Sequence, residues 1–128
     1  MDKILIEATE RTPHVEFDFS ARQLSMKGES YPEDAAAFFG PILQAAREFV
    51  GAGGTQPVTL DLQMSYFNSS SAKALMNLFL TLEKAAQQGM PVIINWWYHE
   101  DDDTILESGE DFAEDFEKAI FKLCPITV

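Results

Sequence analysis

The sequence predicts an α/β fold on a mixed sheet, with antiparallel strands at the N-terminus and a central parallel βαβ unit flanked by helices. Three features carry that prediction. Val58 to Leu62 is a β-branched and leucine run of strand length, the apolar residues after Asn68 recur at three- and four-residue steps, and Pro91 to Trp96 is a second short apolar run. Strand, helix and strand in that order make a right-handed crossover with parallel strands.

Ahead of this unit, Ile4 to Ala8 and Val15 to Phe19 are apolar or alternating runs separated by Thr12 and Pro13, and Gln23 to Lys27 follows as a third. They read as strands of an antiparallel opening. Ser30 and Glu33 have capping-box spacing, with Pro32 where a first turn tolerates it, so a helix is expected from there to Val50, kinked or broken at Gly40-Pro41. Gly51, Ala52, Gly53 and Gly54 stop it; they leave a helix and no Lys follows, so they read as loop punctuation and not as a phosphate loop.

The helix from Ser69 to Gln88 is expected to turn Ala72, Leu75, Met76, Phe79, Leu82 and Ala86 inward, with Lys73, Asn77, Leu80 and Lys84 outward. Gly89 and Pro91 end it. Asp101, Asp102 and Asp103 suit the positive end of a further helix, about Thr104 to Lys118, which Gly109 is expected to divide. Phe121 to Ile126 completes the chain as a strand or extended tail.

The 128 residues fit one domain, 1–128, and a hydrophobic fraction of 46% is ample for a packed core. Nine Lys and Arg against 21 Asp and Glu give a formal charge of -12, which disfavours nucleic acid as a partner. No stretch approaches the roughly 18 apolar residues of a membrane span, so no membrane insertion is expected. The lone Cys124 and an N-terminus without the apolar length of a signal peptide point to the cytoplasm.

Candidate chemistry is sparse. His14 and His99 are the only histidines, and neither stands near a nucleophile-elbow sequence, so no hydrolase and no cofactor are expected. The run His99 to Asp103 fails the calcium-loop pattern, since Ile105 stands where a ligand is needed and no glycine follows it, and it reads as a helix start instead of a metal site. Trp96, Trp97 and Tyr98 end a strand, so alternate rings face opposite sides of the sheet and one is expected near the surface as an interface anchor. Asn68-Ser69-Ser70-Ser71 opens the strongest helix, where one serine is explained as an N-cap and three are not. A phosphate there would meet free backbone amides and the positive end of the helix dipole.

A strand with Leu60-Asp61-Leu62, a short link and then Asn68-Ser69-Ser70-Ser71 resembles the phosphorylatable helix start of anti-sigma-factor antagonist (STAS-like) domains. Those domains carry Asp-Ser-Ser-Gly; here Asn68 replaces the acid and Ser71 the glycine. The chain is more similar to the SiaC family of bacterial regulatory phosphoproteins, through Gly28-Glu29-Ser30-Tyr31-Pro32-Glu33, Tyr66, Lys73, Leu82-Glu83 and Asn95-Trp96-Trp97-Tyr98 followed by the aspartates. That resemblance implies a protein that is not itself an enzyme. Its unmodified form would bind a GGDEF-type diguanylate cyclase and promote cyclic-di-GMP synthesis, while a cognate serine/threonine kinase adds the phosphate and a PP2C-type phosphatase removes it. The modified residue would be Ser69, with Ser70 as the second choice, and Asn68, Ser70, Ser71, Lys73, Leu80, Trp97 and Tyr98 would contact partners. The alternative is an anti-sigma-type antagonist that sequesters a kinase.

Overall fold

A computed structural model describes residues 1–127. A six-stranded sheet runs in chain order, β1 (Ile4–Ile6), β2 (His14–Asp18), β3 (Gln23–Ser30), β4 (Val58–Phe67), β5 (Val92–His99) and β6 (Ile120–Ile126). The first two neighbouring pairs are antiparallel and the other three parallel, so the expected mixed sheet is present, with β6 as a full strand beside β5. Three crossovers carry α1 (Ala35–Gly51), α2 (Ser69–Gln87) and α3 (Asp103–Ala113).

Because each crossover steps to the next strand in one direction and is right-handed, all three helices fall on the same face. Phe17, Leu24, Leu60, Leu62, Ile94 and Trp96 point under them and are buried, while the residues between them, such as Glu16, Ser25, Asp61 and Asn95, line an open polar face. That alternation is the period-2 signature of a sheet covered on one side.

Several boundaries differ from the expectation. Ser30 does not open α1; it ends β3, and the cap is Asp34, whose Oδ1 accepts from the Ala37 amide at 3.0 Å. α1 is continuous through Pro41, so the expected break is absent. Pro41 lies on the exposed side, where solvent can satisfy the Ala37 carbonyl left without its donor, and Phe39, Ile42, Ala46 and Phe49 hold the opposite side in the core. The glycine segment is a loop: Gly53 and Gly54 have φ of +73° and +128°, and Arg22 Nε donates to the Gln56 and Pro57 carbonyls at 3.1 Å to tie the loop down.

β4 does not end at Leu62 but runs on to Phe67, and the single residue Asn68 joins it to α2. The pairing of Gly28 with Met64 and of Glu29 with Tyr66 leaves Ser65 as an extra residue, a bulge that reverses the inward-outward phase. Tyr66 therefore turns outward, 50% exposed, and Phe67 turns in against Trp96 and Phe112. The inward alternation itself runs on through Met64, two residues past the expected end, and the change of phase at Ser65 hides only the last residues of the strand from the sequence pattern.

Gly109 does not divide α3 but lies buried inside it. A Cβ there would stand 2.5 Å from Trp96 Cδ1 and 2.9 Å from Leu123 Cδ2, so glycine lets the helix settle on the indole, whose Nε1 donates to the Ile105 carbonyl at 2.9 Å. The helix ends earlier than expected, at Ala113, and the segment after it is held by a buried carboxylate. Glu83 accepts from the amides of Glu117, Lys118 and Ala119 at 2.8–3.3 Å and from Gln87 Nε2 at 3.2 Å. Burial pushes the Glu83 carboxyl up, and the bonds from Ala119, Lys118, Glu117 and Gln87 outweigh it, so the group titrates below its ordinary 4.5.

Two stability tests follow from these contacts. Gly109→Ala is expected to lose about 1–3 kcal/mol in urea unfolding, because overpacking against the indole outweighs the helix propensity gained. For Glu83 the folded carboxyl binds its proton at lower pH than the unfolded one, so its contribution is complete above the unfolded value and fades as pH falls through the folded one. Glu83→Gln is expected to cost about 2–3 kcal/mol at neutral pH and to lessen the fall in stability below about pH 4.5, measured by denaturation at pH 3–7.

Candidate functional site

The parallel strands deliver the N-termini of all three helices to one edge of the sheet, the carboxyl edge, and the serine run stands at its centre. The cap of α2 is Asn68 and not a serine: its side chain accepts from the Ser71 amide at 3.0 Å and its carbonyl from Ala72 at 2.9 Å. The Asn68 amide donates to the Ser30 carbonyl at 3.0 Å, tying the helix start to the end of β3. With Asn68 and Ser71 satisfied, the amides of Ser69 and Ser70 are the first-turn donors without an intrahelical acceptor.

The three serines have different surroundings. Ser69 and Ser70 are exposed. Ser71 is fully buried, its hydroxyl 2.7 Å from that of Ser30 and donating to the Ser30 carbonyl at 3.0 Å. Ser71 is therefore corrected from a partner contact to an internal brace, a role no glycine at this place could fill. The sequence pattern missed the pairing because Ser30 and Ser71 lie 41 residues apart. Tyr31 and Tyr66 also stand at this edge, rings edge-to-face at 5.9 Å, brought there by the bulge.

The other predicted contacts do not gather round Ser69. Lys73 lies one turn along α2 and is exposed, and Asn77, Leu80 and Lys84 continue that exposed face as expected. Leu80 is 51% exposed but eleven residues beyond Ser69, which places it about 16 Å down the helix and not beside the serines. Trp97 projects from the open sheet face, opposite α2, where its indole N–H and the Asn95 amide both donate to Asp61 Oδ1 at 3.0 Å. Tyr98 is half-buried on the helix side, and Trp96 is buried at 1% exposure.

Asp102 caps α3, accepting from the Ile105 amide at 3.0 Å, which is the helix-start role expected of the aspartate run. Among the described residues no group of three His, Cys, Asp or Glu side chains is arranged to hold a metal ion. Burial, with Asp61 beside it, raises the Cys124 thiol above its ordinary 9.0 despite Lys122, so it is a poor nucleophile near neutrality. No helix among the described residues is long and apolar enough to cross a membrane.

A sheet covered on one face, with a capped, hydroxyl-bearing helix start exposed at its carboxyl edge, is the architecture of STAS-like regulatory domains. The chain belongs to the SiaC family of regulatory phosphoproteins, whose family model matches residues 6–126. It is 39% identical over 115 residues to an uncharacterised protein of Pseudomonas aeruginosa strain UCBPP-PA14, covering 90% of each chain. It is similar to the crystal structure of apo-SiaC from Pseudomonas aeruginosa at a TM-score of 0.85 and 37% identity over 98% of both chains. It also matches a SiaC structure in which that protein, described as the activator, is in complex with the diguanylate cyclase SiaD from Pseudomonas aeruginosa, at a TM-score of 0.87 and 35% identity over 98% of this chain and 99% of that one.

The serines make separable predictions. Ser69→Asp and Ser70→Asp are expected to change unfolding free energy by no more than about 0.5 kcal/mol, as surface substitutions do. Ser71→Ala is expected to cost about 1–2 kcal/mol through the hydroxyl left unpaired on Ser30, and Ser71→Asp more, because it buries an uncompensated charge. Urea denaturation of the four variants measures the series.

Proposed function

We propose that the chain is a phosphorylation-switched regulatory protein, without catalysis of its own, that in its unmodified form binds and activates a diguanylate cyclase in the cytoplasm. A single observation supports this most strongly: Ser69 stands exposed at a capped helix start, with free amides beside it and the fold's bracing left to Ser71 and Ser30. A kinase can reach the hydroxyl and a PP2C-type phosphatase can remove the phosphate with the domain folded. The complex of the similar SiaC with SiaD supports the nature of the partner.

The switch acts through charge. A phosphate adds about -1.5 to -2 charges at neutral pH, and within an interface these must be matched by a cation or desolvated at a cost. A partner surface shaped for a neutral hydroxyl rejects the modified form, so the unmodified protein is the activator. Ser70, also exposed, is the second candidate for modification.

The expected result with the cognate kinase is a single phosphate on Ser69, located by mass spectrometry, and a form that binds cyclase roughly tenfold or more weakly. Ser69→Ala is expected to bind whether or not kinase is present, and Ser69→Asp to bind weakly, though Asp carries less charge than phosphate. Phosphate on another residue, or equal cyclase binding by both forms, would sink the switch.

A further inference from the structure

We propose that the cleft where β4 and β5 part, at the carboxyl edge of the sheet, is a binding site for a free α-amino acid in its zwitterionic form. The cleft opens on the face away from the helices, and the site is independent of the cyclase reading.

The cleft follows from an interruption in the sheet. β4 pairs with β5 from Val58–Val92 only as far as Leu62–Trp96, yet β4 continues beside β3 to Phe67 and β5 continues beside β6 to His99. The next three residues of each strand, Gln63 to Ser65 and Trp97 to His99, therefore lie across from one another without a ladder between them. A bulge bends the strand that carries it, and the bulge at Ser65 lies at this point. In open parallel sheets ligands bind beyond the carboxyl ends of the strands, in the crevice where the strand order reverses. Here the order runs from β1 to β6 without reversal, so the split between β4 and β5 supplies the concavity instead.

The cavity measures about 200 Å³. That is below the roughly 300 Å³ at which sites for drug-sized ligands begin, so it suits a molecule of amino-acid size and excludes a nucleotide. Met64 and Tyr98, whose side chains turn towards the helices, close its floor, and Gln63, Ser65 and Trp97 wall it. The Trp97 indole is held in place, since its Nε1 donates to Asp61 Oδ1 at 3.0 Å, and it gives the cavity a fixed apolar plane.

Charge selects the ligand. Lys27 lines the β3 side of the cavity and has no ion pair among the described residues. Asp102 lines the opposite side, beyond β5. Its Oδ1 caps α3 through the Ile105 amide at 3.0 Å, and its Oδ2 has no hydrogen-bond partner among the described residues. An ammonium and a carboxylate on either side of one small cavity match a ligand that carries both charges. A lone anion would meet Asp102 and a chain of formal charge -12, and a lone cation would meet Lys27. A zwitterion is neutral overall and avoids both penalties. Its carboxylate faces Lys27, its ammonium faces Asp102 and its side chain lies against Trp97, while Gln63 and Ser65 offer further donors and acceptors.

The test titrates the full-length chain with each common L-amino acid by calorimetry, with thermal unfolding as a second readout, because a ligand bound only by the folded state raises Tm. At least one amino acid is expected to give a saturable one-to-one isotherm tighter than about 1 mM. Its N-acetyl and methyl-ester derivatives, each of which lacks one charge, are expected to bind at least about tenfold more weakly. Lys27→Gln and Asp102→Asn are expected to weaken binding by the same factor with the fold intact by circular dichroism, since Lys27 is exposed and Asn caps a helix as well as Asp does. Lys122→Gln, on the same face but outside the cleft, should leave affinity unchanged. Flat titrations with every amino acid up to about 10 mM would overturn the site. Undiminished binding in both Lys27→Gln and Asp102→Asn would overturn its place in the cleft, and equal affinity for a singly charged derivative would overturn the zwitterion as its ligand.

Discussion

Three successive right-handed crossovers in one direction decide more of this molecule than any single contact. Each returns the chain to the next strand of the sheet, so α1, α2 and α3 must share one face and their N-termini must share the carboxyl edge. One face then becomes the core and the other stays polar and open. The same geometry places α1 beside α2, parallel to it, and leaves the trough between them facing solvent. The place of the candidate modification site is a consequence of a handedness set by strand twist.

Within that frame the serine edge is fastened from below. The bulge at Ser65 shifts the phase of β4 so that Phe67 reaches the aromatic cluster around Trp96, and the chain enters α2 with Asn68 in capping position. Ser71 bonds Ser30, and the Asn68 amide bonds the Ser30 carbonyl, so β3, β4 and α2 are locked at one point. A buried hydroxyl pair is worth keeping only when both members are satisfied. The neighbouring hydroxyls of Ser69 and Ser70 are thereby relieved of any structural duty and can be modified with little effect on the fold.

The distribution of charge complements this arrangement. Acidic residues crowd α3 and its flanks, where Asp102 caps the helix and the rest solvate an exposed surface, while α2 shows solvent only neutral and basic side chains. The one carboxylate on α2 is buried and fixed by backbone amides, where it holds the connection from α3 to β6. A strongly acidic protein thus keeps one locally cationic surface, and it is the surface that begins at the serines.

The sequence by itself determined the mixed α/β class, the strand–helix–strand centre, the outward face of α2 and the serine run as a helix start, while the inward face is centred on Ala74, Leu75, Leu78 and Leu82 with Ala72, Met76 and Ala86 at its half-buried edges. Each depends on local periodicity or capping chemistry, which nearby residues encode. Only the tertiary structure decided that Ser71 is a brace and Ser69 is free, because the partner that buries Ser71 is distant in the chain. It also decided that Gly109 belongs inside α3, since the demand for a missing side chain comes from Trp96. Likewise it carried α1 through Pro41, where a packed apolar face outweighs one lost backbone bond, and carried β4 past Met64 to Phe67, where a bulge at Ser65 reverses the alternation that marks a strand. The separation of Leu80 and Trp97 onto different surfaces has the same origin. Periodicity assigns a side to each residue within its own element, and the crossovers alone decide what those sides meet.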